Sequence, residues 1–388
     1  MNTPLAPGAT IGIVGGGQLG SFLAVAARHL GYRVHVFASE PFSPAGLAAD
    51  AETVGDWHDP EAVKAFAAGV SVLTIETEAV PWRSLAAAEE VTVVRPGSGV
   101  LRWTQNRLEQ REFLRRHHIP VGAYQPVLAP GDAAQAAAKL GLPVFLKLAE
   151  TGYDGRGQVR VAAGDDPEEA WASLGRRPAI AEAFVPFEHE FAVILARDAA
   201  GQAVCFAPIQ TVHRDGVLDL AWAPAAIPPR AAREGEAIAR AIGDAAGLIG
   251  LLCVECYALP DGSVLVNEAA ARPHNAGHLT IDACVSSQFD QMARALTGLS
   301  LSAPDQKWPA AMANILGDHR YTAPDQAPWR PASIVIHDYA KKPRPGRKLA
   351  HVTAVARSVE VARTAALAVR AAVAVPQDAP PASGPPAR

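Results

Sequence analysis

Two glutamates, Glu255 and Glu268, lie in a pattern that predicts a paired-carboxylate site. Apolar runs at 251–257 and 264–268 are typical of strands, and Asp261-Gly262 between them is a favoured two-residue hairpin turn. Counting outward from this turn places Glu255 opposite Glu268, with Cβ atoms about 4.5–5.5 Å apart, where like charges repel. Because Mg²⁺ is commonly held by one or two carboxylates and phosphate oxygens, the pair predicts a magnesium site. A slip in strand register, which would separate the two side chains, is the alternative.

A glycine-rich loop with flanking cations follows a short apolar strand that carries Lys147. Gly152, Gly155 and Gly157 allow backbone N–H groups to approach an anion closely. Lys147 and Arg156 add positive charge on either side of the loop. The pattern predicts a phosphate-binding loop, with a glycine-rich surface hairpin as the alternative.

A second glycine pattern, Gly-x-Gly-x-x-Gly at 15–20, follows the first predicted strand. The next strand, at 34–37, ends near Glu40, the place of the ribose-binding acid in a dinucleotide-binding fold. The strand at 70–75 ends in Glu76, on the side where open α/β sheets bind ligands. The pattern is typical of an NAD site, but it also occurs in other α/β units whose strand-to-helix turn touches a ligand.

The elements that must position these residues exceed one ordinary domain. With 388 residues, of which 49% are hydrophobic and 19% charged, the chain predicts two or three globular domains. We expect an α/β (α+β) protein divided at residues 1–104, 105–298 and 299–375. The Pro-rich segment 376–388 predicts a disordered tail.

Composition excludes several classes of function. The formal charge of −4 and the pI near 6.3 argue against a general nucleic-acid binder. No uncharged apolar run is long enough to span a membrane, and no basic residue precedes Arg28 to form a signal-peptide n-region. Four cysteines in apolar stretches indicate a reducing cytoplasm. Two of them, Cys253 and Cys256, would point to opposite faces of a strand, which excludes a shared zinc or redox site.

The loop Gly152-Tyr-Asp-Gly-Arg-Gly-Gln158 resembles the nucleotide-closing loop of ATP-grasp enzymes, and within them the 5-(carboxyamino)imidazole ribonucleotide synthase family. Segments 15–20, 267–278 and 344–351 resemble further motifs of this family, so the similarity runs from Gly15 to about His351. It implies an ATP-grasp fold with an N-terminal Rossmann-like pre-ATP-grasp domain and a small C-terminal β-rich domain. It also implies carboxylation of aminoimidazole ribonucleotide with bicarbonate, driven by ATP.

The resemblance implies ATP and Mg²⁺ as cofactors, with Glu255 and Glu268 as the metal ligands. In this comparison residues 182–185 frame the adenine, and Glu190 accepts hydrogen bonds from the ribose hydroxyls. The implied nucleotide contacts are Arg107, Lys147, Gly152, Tyr153, Gly155, Gly157, Gln158, Glu182, Ala183, Phe184, Val185, Glu190, His213 and Asn267.

The resemblance also assigns a substrate side and a set of orienting residues. The implied substrate contacts are Gln18, Leu19, Glu76, Asn275, His278, Lys341, Arg344, Arg347 and Lys348. Arg344, Arg347 and Lys348 are expected to hold the 5′-phosphate of the ribonucleotide, because arginine side chains on a shaped loop can engage phosphate bidentately. The residues expected to orient bicarbonate and the amine are Asp154, Arg156, Arg272 and His274.

The chain departs from the family pattern at Asn106 and Gln110, which replace an acid and a lysine, and at Gln210, Thr211 and Ala350. Two alternatives remain open. One is another ATP-grasp ligase, such as the formate-using glycinamide ribonucleotide transformylase, and the other is an NAD-dependent oxidoreductase. The expected partners are small-molecule substrates and a second copy of the chain in a homodimer.

Overall fold

The computed structural model of the protein describes residues 3–150, 157–317, 319–321 and 332–376. Five predicted site residues, Gly152, Tyr153, Asp154, Gly155 and Arg156, lie outside these ranges. So do residues 377–388 of the predicted tail, whereas Pro376 is the last residue of a strand.

The N-terminal unit is a parallel five-stranded sheet with strand order β3-β2-β1-β4-β5. Its strands alternate with helices, as the run of short apolar segments predicted. The elements are β1 (Thr10–Val14), α1 (Gln18–His29), β2 (Arg33–Ala38), α2 (Pro44–Ala48), β3 (Ala51–Val54), α3 (Pro60–Ala67), β4 (Val72–Ile75), α4 (Trp82–Glu89), β5 (Val93–Val94) and α5 (Ser98–Gln105).

The next unit is a four-stranded antiparallel sheet with strand order β6-β9-β7-β8. Strands β7 and β8 flank residues 149–157, so this hairpin carries the predicted phosphate loop. The elements are α6 (Arg107–Arg116), β6 (Tyr124–Val127), α7 (Asp132–Leu140), β7 (Val144–Leu148), β8 (Gln158–Val161), α8 (Pro167–Ser173) and β9 (Ala179–Ala183).

A nine-stranded antiparallel sheet joins the rest of the central region to the C-terminal strands. Its order is β15-β14-β10-β12-β13-β16-β19-β18, with β11 on β10, and pairing of β13 with β16 makes it continuous. The elements are β10 (His189–Arg197), β11 (Ala203–Cys205), β12 (Ile209–Arg214), β13 (Val217–Ala223), α9 (Pro229–Ala245), β14 (Gly250–Ala258), β15 (Val264–Ala270), a 3₁₀ helix (Asn275–Leu279), α10 (Thr280–Ala283), α11 (Gln288–Thr297), β16 (Ala310–Leu316), β17 (His319–Tyr321), β18 (Ser333–Asp338), β19 (Lys348–Val355), α12 (Val359–Val373) and β20 (Ala374–Pro376).

The hairpin β14–β15 places Glu255 opposite Glu268, as the sequence predicted. The predicted turn was wrong, however, because Leu259 pairs with Ser263 around a three-residue loop that ends in Gly262 at φ 79°. This shifts the register near the loop by one residue. A bulge that leaves Asn267 unpaired restores it before Glu268 is reached.

Different cores cover the two faces of the large sheet at β14. Cys253 lies in the core shared with α1 and α11, and Cys256 lies in the core beneath α9. The two thiols are therefore on opposite faces, which confirms that they do not form a joint site. Of the described residues, none forms a helix with the length and apolar character needed to cross a membrane.

Candidate active site

The carboxylate of Glu76, which follows β4, occupies the N-terminal end of α1. The Gly17 N–H donates to Glu76 Oε1 at 2.9 Å, and the Gly20 N–H donates to Oε2 at 3.4 Å. A Cβ atom would lie 2.6 Å from the Glu76 side chain at Gly15 and 2.7 Å from it at Gly17. The glycine pattern therefore makes room for an acidic side chain at the place where a dinucleotide fold holds its pyrophosphate. The NAD interpretation of this pattern is wrong.

Lys147, at the base of the phosphate loop, forms an ion pair with Glu182 on β9. Its Nζ lies 2.7 Å from Glu182 Oε2, and both side chains are largely shielded from solvent. Gln158 is paired with Lys147 across the β7–β8 hairpin, and the Leu148 N–H donates to the Gly157 carbonyl at 2.8 Å. The hairpin thus places a cation and the start of the glycine-rich loop at one edge of the cleft.

A second cation, Arg111, reaches the same carboxylate from α6. Its Nη2 lies 2.5 Å from Glu182 Oε1 and 2.6 Å from the Asn267 carbonyl oxygen, and its Nε lies 3.1 Å from Oε1. Burial alone would raise the pKa of Glu182, but Arg111 and Lys147 together lower it to about 2. Sequence analysis missed Arg111. Arg111 lies four residues after Arg107, and residues i and i+4 share one face of a helix, so this spacing in the sequence indicates that Arg111 lies near the predicted residue Arg107.

The departures at Asn106 and Gln110 have structural explanations. Asn106 is the N-cap of α6, and its Oδ1 accepts from the N–H groups of Leu108 and Glu109 at 2.9 and 3.2 Å, as an aspartate also can. Gln110 is buried and exchanges two hydrogen bonds with the backbone of Ala269, at 2.9 and 3.0 Å. This glutamine therefore ties α6 to β15 and leaves the cationic role to Arg111.

The predicted adenine and ribose contacts lie between β9 and β12. Ala183 ends β9, Phe184 and Val185 follow it, and the Phe184 ring is 53% exposed, so this segment presents apolar surface to a ligand. Glu190 Oε2 lies 2.6 Å from His213 Nδ1, on the adjacent strand of the large sheet. Burial opposes the charge on His213, but the contact with Glu190 raises the pKa of the imidazole.

The facing carboxylates both contact nitrogen atoms of basic side chains. Glu255 Oε1 lies 3.2 Å from His274 Nε2, and Glu268 Oε2 lies 3.4 Å from Arg107 Nη2. Burial would raise the pKa of Glu255, but the hydrogen bond and charge of His274 outweigh it and hold the pKa at about 2. Glu255 also has a ligand atom within 4.8 Å of one in Glu190 and one in His213. Ionised carboxylate oxygens at this spacing fit a hard divalent cation.

Arg272 connects β15 to the end of β4 in the N-terminal unit. Its Nη2 lies 3.3 Å from Glu78 Oε2, and its Nη1 donates to the Pro273 carbonyl at 3.0 Å. Burial opposes the charge of Arg272, but Glu78 and Glu268 raise its pKa. A permanent cation therefore lies between the paired carboxylates and Glu76. Glu78 was not among the predicted site residues.

The cationic segment 341–348 is fixed against the rest of the molecule at three points. Lys341 Nζ contacts Gln18 Oε1 at the start of α1, the Gly317 N–H donates to the Arg347 carbonyl at 2.7 Å, and Lys348 begins β19. Burial and the neighbouring Arg344 both lower the pKa of Arg347. Two guanidinium groups held close enough to repel each other form a favourable site for an anion.

Three predicted substrate contacts have buried side chains. Leu19 and His278 are buried, and His278 packs against Phe22 with ring centroids 5.2 Å apart. Asn275 is also buried, and its Oδ1 accepts from Asn314 at 2.6 Å. The side chains of Leu19, Asn275 and His278 are thus shielded from solvent, as that of Glu76 is, and their expected contact with substrate stays a prediction. Ala350 lies inside β19, not in the preceding loop.

Most of the predicted residues that the structure describes lie on or next to elements of all three units, and several of them are in direct contact. These are the nucleotide-side residues Lys147, Gly157, Gln158, Glu182, Ala183, Phe184, Val185, Glu190 and His213, the central residues Arg107, Glu255, Asn267, Glu268, Arg272 and His274, and the substrate-side residues Gln18, Glu76, Lys341, Arg344, Arg347 and Lys348. To these the structure adds Arg111 and Glu78.

Comparison with known families divides the chain at similar positions. Residues 8–105 match the ribonucleotide synthetase preATP-grasp domain, 112–289 match the ATP-grasp domain, and 310–365 match the phosphoribosylaminoimidazole carboxylase C-terminal domain. The ATP-grasp fold predicted from the sequence is confirmed.

Individual relatives match over nearly their whole length. The N5-carboxyaminoimidazole ribonucleotide synthase of Brucella melitensis is 38% identical over 354 residues, which are 90% of this chain and 97% of the relative. An ADP complex of an N5-carboxyaminoimidazole ribonucleotide synthetase has a TM-score of 0.89 at 34% identity, covering 95% of this chain and 98% of that one. The Aspergillus clavatus synthase, solved with ADP and 5-aminoimidazole ribonucleotide, has a TM-score of 0.86 at 30% identity and covers 95% and 100%. The chain therefore belongs to the N5-carboxyaminoimidazole ribonucleotide synthase family of ATP-grasp ligases.

Proposed function

We propose that the protein carboxylates the exocyclic amine of 5-aminoimidazole ribonucleotide with bicarbonate, at the expense of ATP, in purine biosynthesis. The products are N5-carboxyaminoimidazole ribonucleotide, ADP and phosphate. The observation that carries the proposal is the facing pair of carboxylates Glu255 and Glu268, with Arg107 in contact with Glu268 and with two further ion pairs, Lys147–Glu182 and Arg272–Glu78, on the neighbouring elements. The family membership supports the same substrates.

Phosphoryl transfer from ATP to bicarbonate requires mainly positioning and neutralisation of charge. Lys147 and Arg107 would bind the phosphates, and Glu190 would accept from the ribose hydroxyls. Glu255 and Glu268 would hold Mg²⁺, which supplies charge neutralisation on the phosphate oxygens when bound. Arg111 holds Glu182 beside Lys147 and so fixes the side of the cleft that meets the nucleotide.

Transfer of the carboxyl group requires bicarbonate and the amine to lie close together. Arg272 and His274 come shortly after β15, the strand that carries Glu268. They would therefore orient bicarbonate, or the carboxyphosphate formed from it, beside the transferred phosphoryl group. Glu76 would face the aminoimidazole ribonucleotide. Arg344, Arg347 and Lys348 would hold the 5′-phosphate of this substrate, since segment 341–348 lies against the start of α1. Asp154 and Arg156 stay predicted orienting residues in the loop.

A substrate-omission assay that follows ADP formation tests the proposal. We expect activity to require ATP, Mg²⁺ and bicarbonate and to be strongly stimulated by aminoimidazole ribonucleotide. Formate with glycinamide ribonucleotide should give no stimulation, which separates the proposed reaction from that of the related transformylase. Equal ADP formation without bicarbonate would contradict the proposal. The domain boundaries at 104, 298 and 375, the homodimer and the cytoplasmic location stay predictions.

A further inference from the structure

Glu78 lies at the cleft but is not explained by the nucleotide or the aminoimidazole ribonucleotide. It follows β4, two residues after Glu76, in the turn that leads to α4. Gln105, the last residue of α5, fixes this turn: its Nε2 donates to the Glu78 carbonyl at 2.6 Å, and its Oε1 accepts from the Trp82 N–H at 3.1 Å. The backbone that carries the Glu78 side chain is thus held from a second element.

The Glu78 carboxylate is only half satisfied by the described residues. Oε2 lies 3.3 Å from Arg272 Nη2, whereas Oε1 is shielded from solvent and has no hydrogen-bond partner among these residues. A buried acceptor without a partner is costly and calls for an explanation. Burial also raises the pKa of this carboxyl, an effect that Arg272 opposes.

Asp219 on β13 shows what a structural ion pair of similar burial looks like in this protein. Its Oδ1 lies 2.5 Å from Arg370 Nη1, and its Oδ2 lies 3.1 Å from Arg214 Nε, so both oxygens have cationic partners. The exposed fractions are 16% for Asp219 and 22% for Glu78. The difference between the two acids is therefore in their pairing, not in their burial.

Arg272 is the group through which Glu78 can act. Its guanidinium has five N–H donors, and the two contacts described use one from Nη1 and one from Nη2. The Glu78 contact spans 194 residues of sequence and joins the N-terminal unit to the strand that carries Glu268. If the contact with Glu78 were lost, the Arg272 side chain would keep one hydrogen bond among the described residues, to the adjacent Pro273 carbonyl.

We propose that Glu78 is a positioning residue that holds the Arg272 guanidinium in the orientation that binds bicarbonate. The inference rests on the proposed function, because it assigns bicarbonate to Arg272. A planar guanidinium suits the planar oxygens of bicarbonate, provided that its orientation is fixed. Glu78, which belongs to the N-terminal unit, contacts the guanidinium from a separate element and so fixes its orientation.

The test is a double-mutant cycle on bicarbonate kinetics with saturating ATP and aminoimidazole ribonucleotide. Glu78→Gln should raise the KM for bicarbonate about tenfold, the effect of losing one charge-assisted contact, and leave the KM for ATP within about twofold. Arg272→Gln should raise the KM for bicarbonate at least as much. Because Glu78 acts through Arg272, the double variant should be no worse than Arg272→Gln alone.

Asp219→Asn is the matched control, since it weakens an ion pair of similar burial outside the cleft, and it should leave the KM for bicarbonate unchanged. A bicarbonate KM of Glu78→Gln within twofold of the parent enzyme would overturn the inference, as would effects that multiply in the double variant. If Glu78→Gln does not fold, Glu78→Asp replaces it, because this variant keeps the charge but shortens the side chain by one methylene. A bicarbonate KM of folded Glu78→Asp equal to that of the parent enzyme would also overturn the inference. Failure of the proposed function is distinct, because the parent enzyme would then show no bicarbonate-dependent ADP formation.

Discussion

Replacing Arg111 with alanine should destabilise the protein by about 3 kcal/mol. Burial of Glu182 would raise its pKa, but Arg111 and Lys147 together lower it from 4.5 to about 2, so both cations stabilise the ionised carboxylate in the folded state. Because Lys147 stays beside Glu182 in this variant, the loss is placed below the roughly 3–5 kcal/mol typical of a buried charge left without a partner, at about 2 kcal/mol. Its contact with the Asn267 carbonyl, at 2.6 Å, adds about 1 kcal/mol because this acceptor would lose a partner.

Urea unfolding near neutral pH, followed by circular dichroism, measures the effect. Arg115→Ala is the matched control on the same helix, since Arg115 is 64% exposed and pairs with Glu112 three residues away. An exposed pair of this kind contributes little to stability, because solvent and salt screen it. If Arg111→Ala unfolds within 0.5 kcal/mol of Arg115→Ala, the ion pair described for Glu182 does not stabilise the fold.

The pH dependence of this difference follows from the sign of the Glu182 shift. The pKa of Glu182 is lowered in the folded state, so its stabilisation is complete above the unfolded value of 4.5 and is lost as the pH falls toward about 2. The deficit of Arg111→Ala should therefore be the same at about pH 6 and about pH 8. A deficit that changes strongly between these two values would show that another group is responsible.

Three further variants test the division of the cleft. Glu268→Gln removes one charge from the paired carboxylates with little change in shape, so ADP formation should fall at least about a hundredfold with the fold intact; unchanged magnesium dependence in a titration would contradict the metal assignment. Arg347→Ala should raise the KM for aminoimidazole ribonucleotide about ten- to a hundredfold and leave the KM for ATP within about twofold. The control Arg357→Ala, at an exposed position, should change neither KM. A loss of ATP affinity in Arg347→Ala would show that segment 341–348 binds the nucleotide instead. Gly17→Ala places a Cβ 2.7 Å from Glu76 Oε2, so it should weaken binding of aminoimidazole ribonucleotide and spare ATP, and parental kinetics would show that Glu76 is not held for substrate.

The hairpin that carries the paired carboxylates shows how far sequence patterns reach. The register of Glu255 with Glu268 was predicted from an assumed two-residue turn, and the turn has three residues. The extra loop residue and the bulge at Asn267 shift the register by one each, in opposite directions. A bulge depends on how β15 packs against α6, where Gln110 binds the Ala269 backbone, and such a long-range contact has no local signature in the sequence.

The glycines at the start of α1 illustrate a different limit. Their spacing indicates close approach of something to the helix N-terminus, and this is correct. The sequence cannot tell a ligand phosphate from a side chain there, because both are anions that accept from the same N–H groups. Only the pairing of β1 with β4 brings Glu76 to this position, across 59 residues of sequence. Arg111, in contrast, could be predicted from the sequence, because it lies on the same helix face as Arg107.

The pairing of charges in the cleft explains how so many cations can be held ready for phosphate. Lys147 contacts Glu182, Arg107 contacts Glu268, and Arg272 contacts Glu78. A poorly solvated cation without a partner would destabilise the fold, and the contact with an acid offsets this effect. A nucleotide that took Arg107 from Glu268 would strand the carboxylate, unless a metal ion arrived with it. If Arg107 binds phosphate and Glu268 binds Mg²⁺, as proposed, both groups would stay paired when the nucleotide and the metal bind together. On this proposed assignment, the Arg107–Glu268 ion pair would favour the magnesium complex of ATP over the free nucleotide.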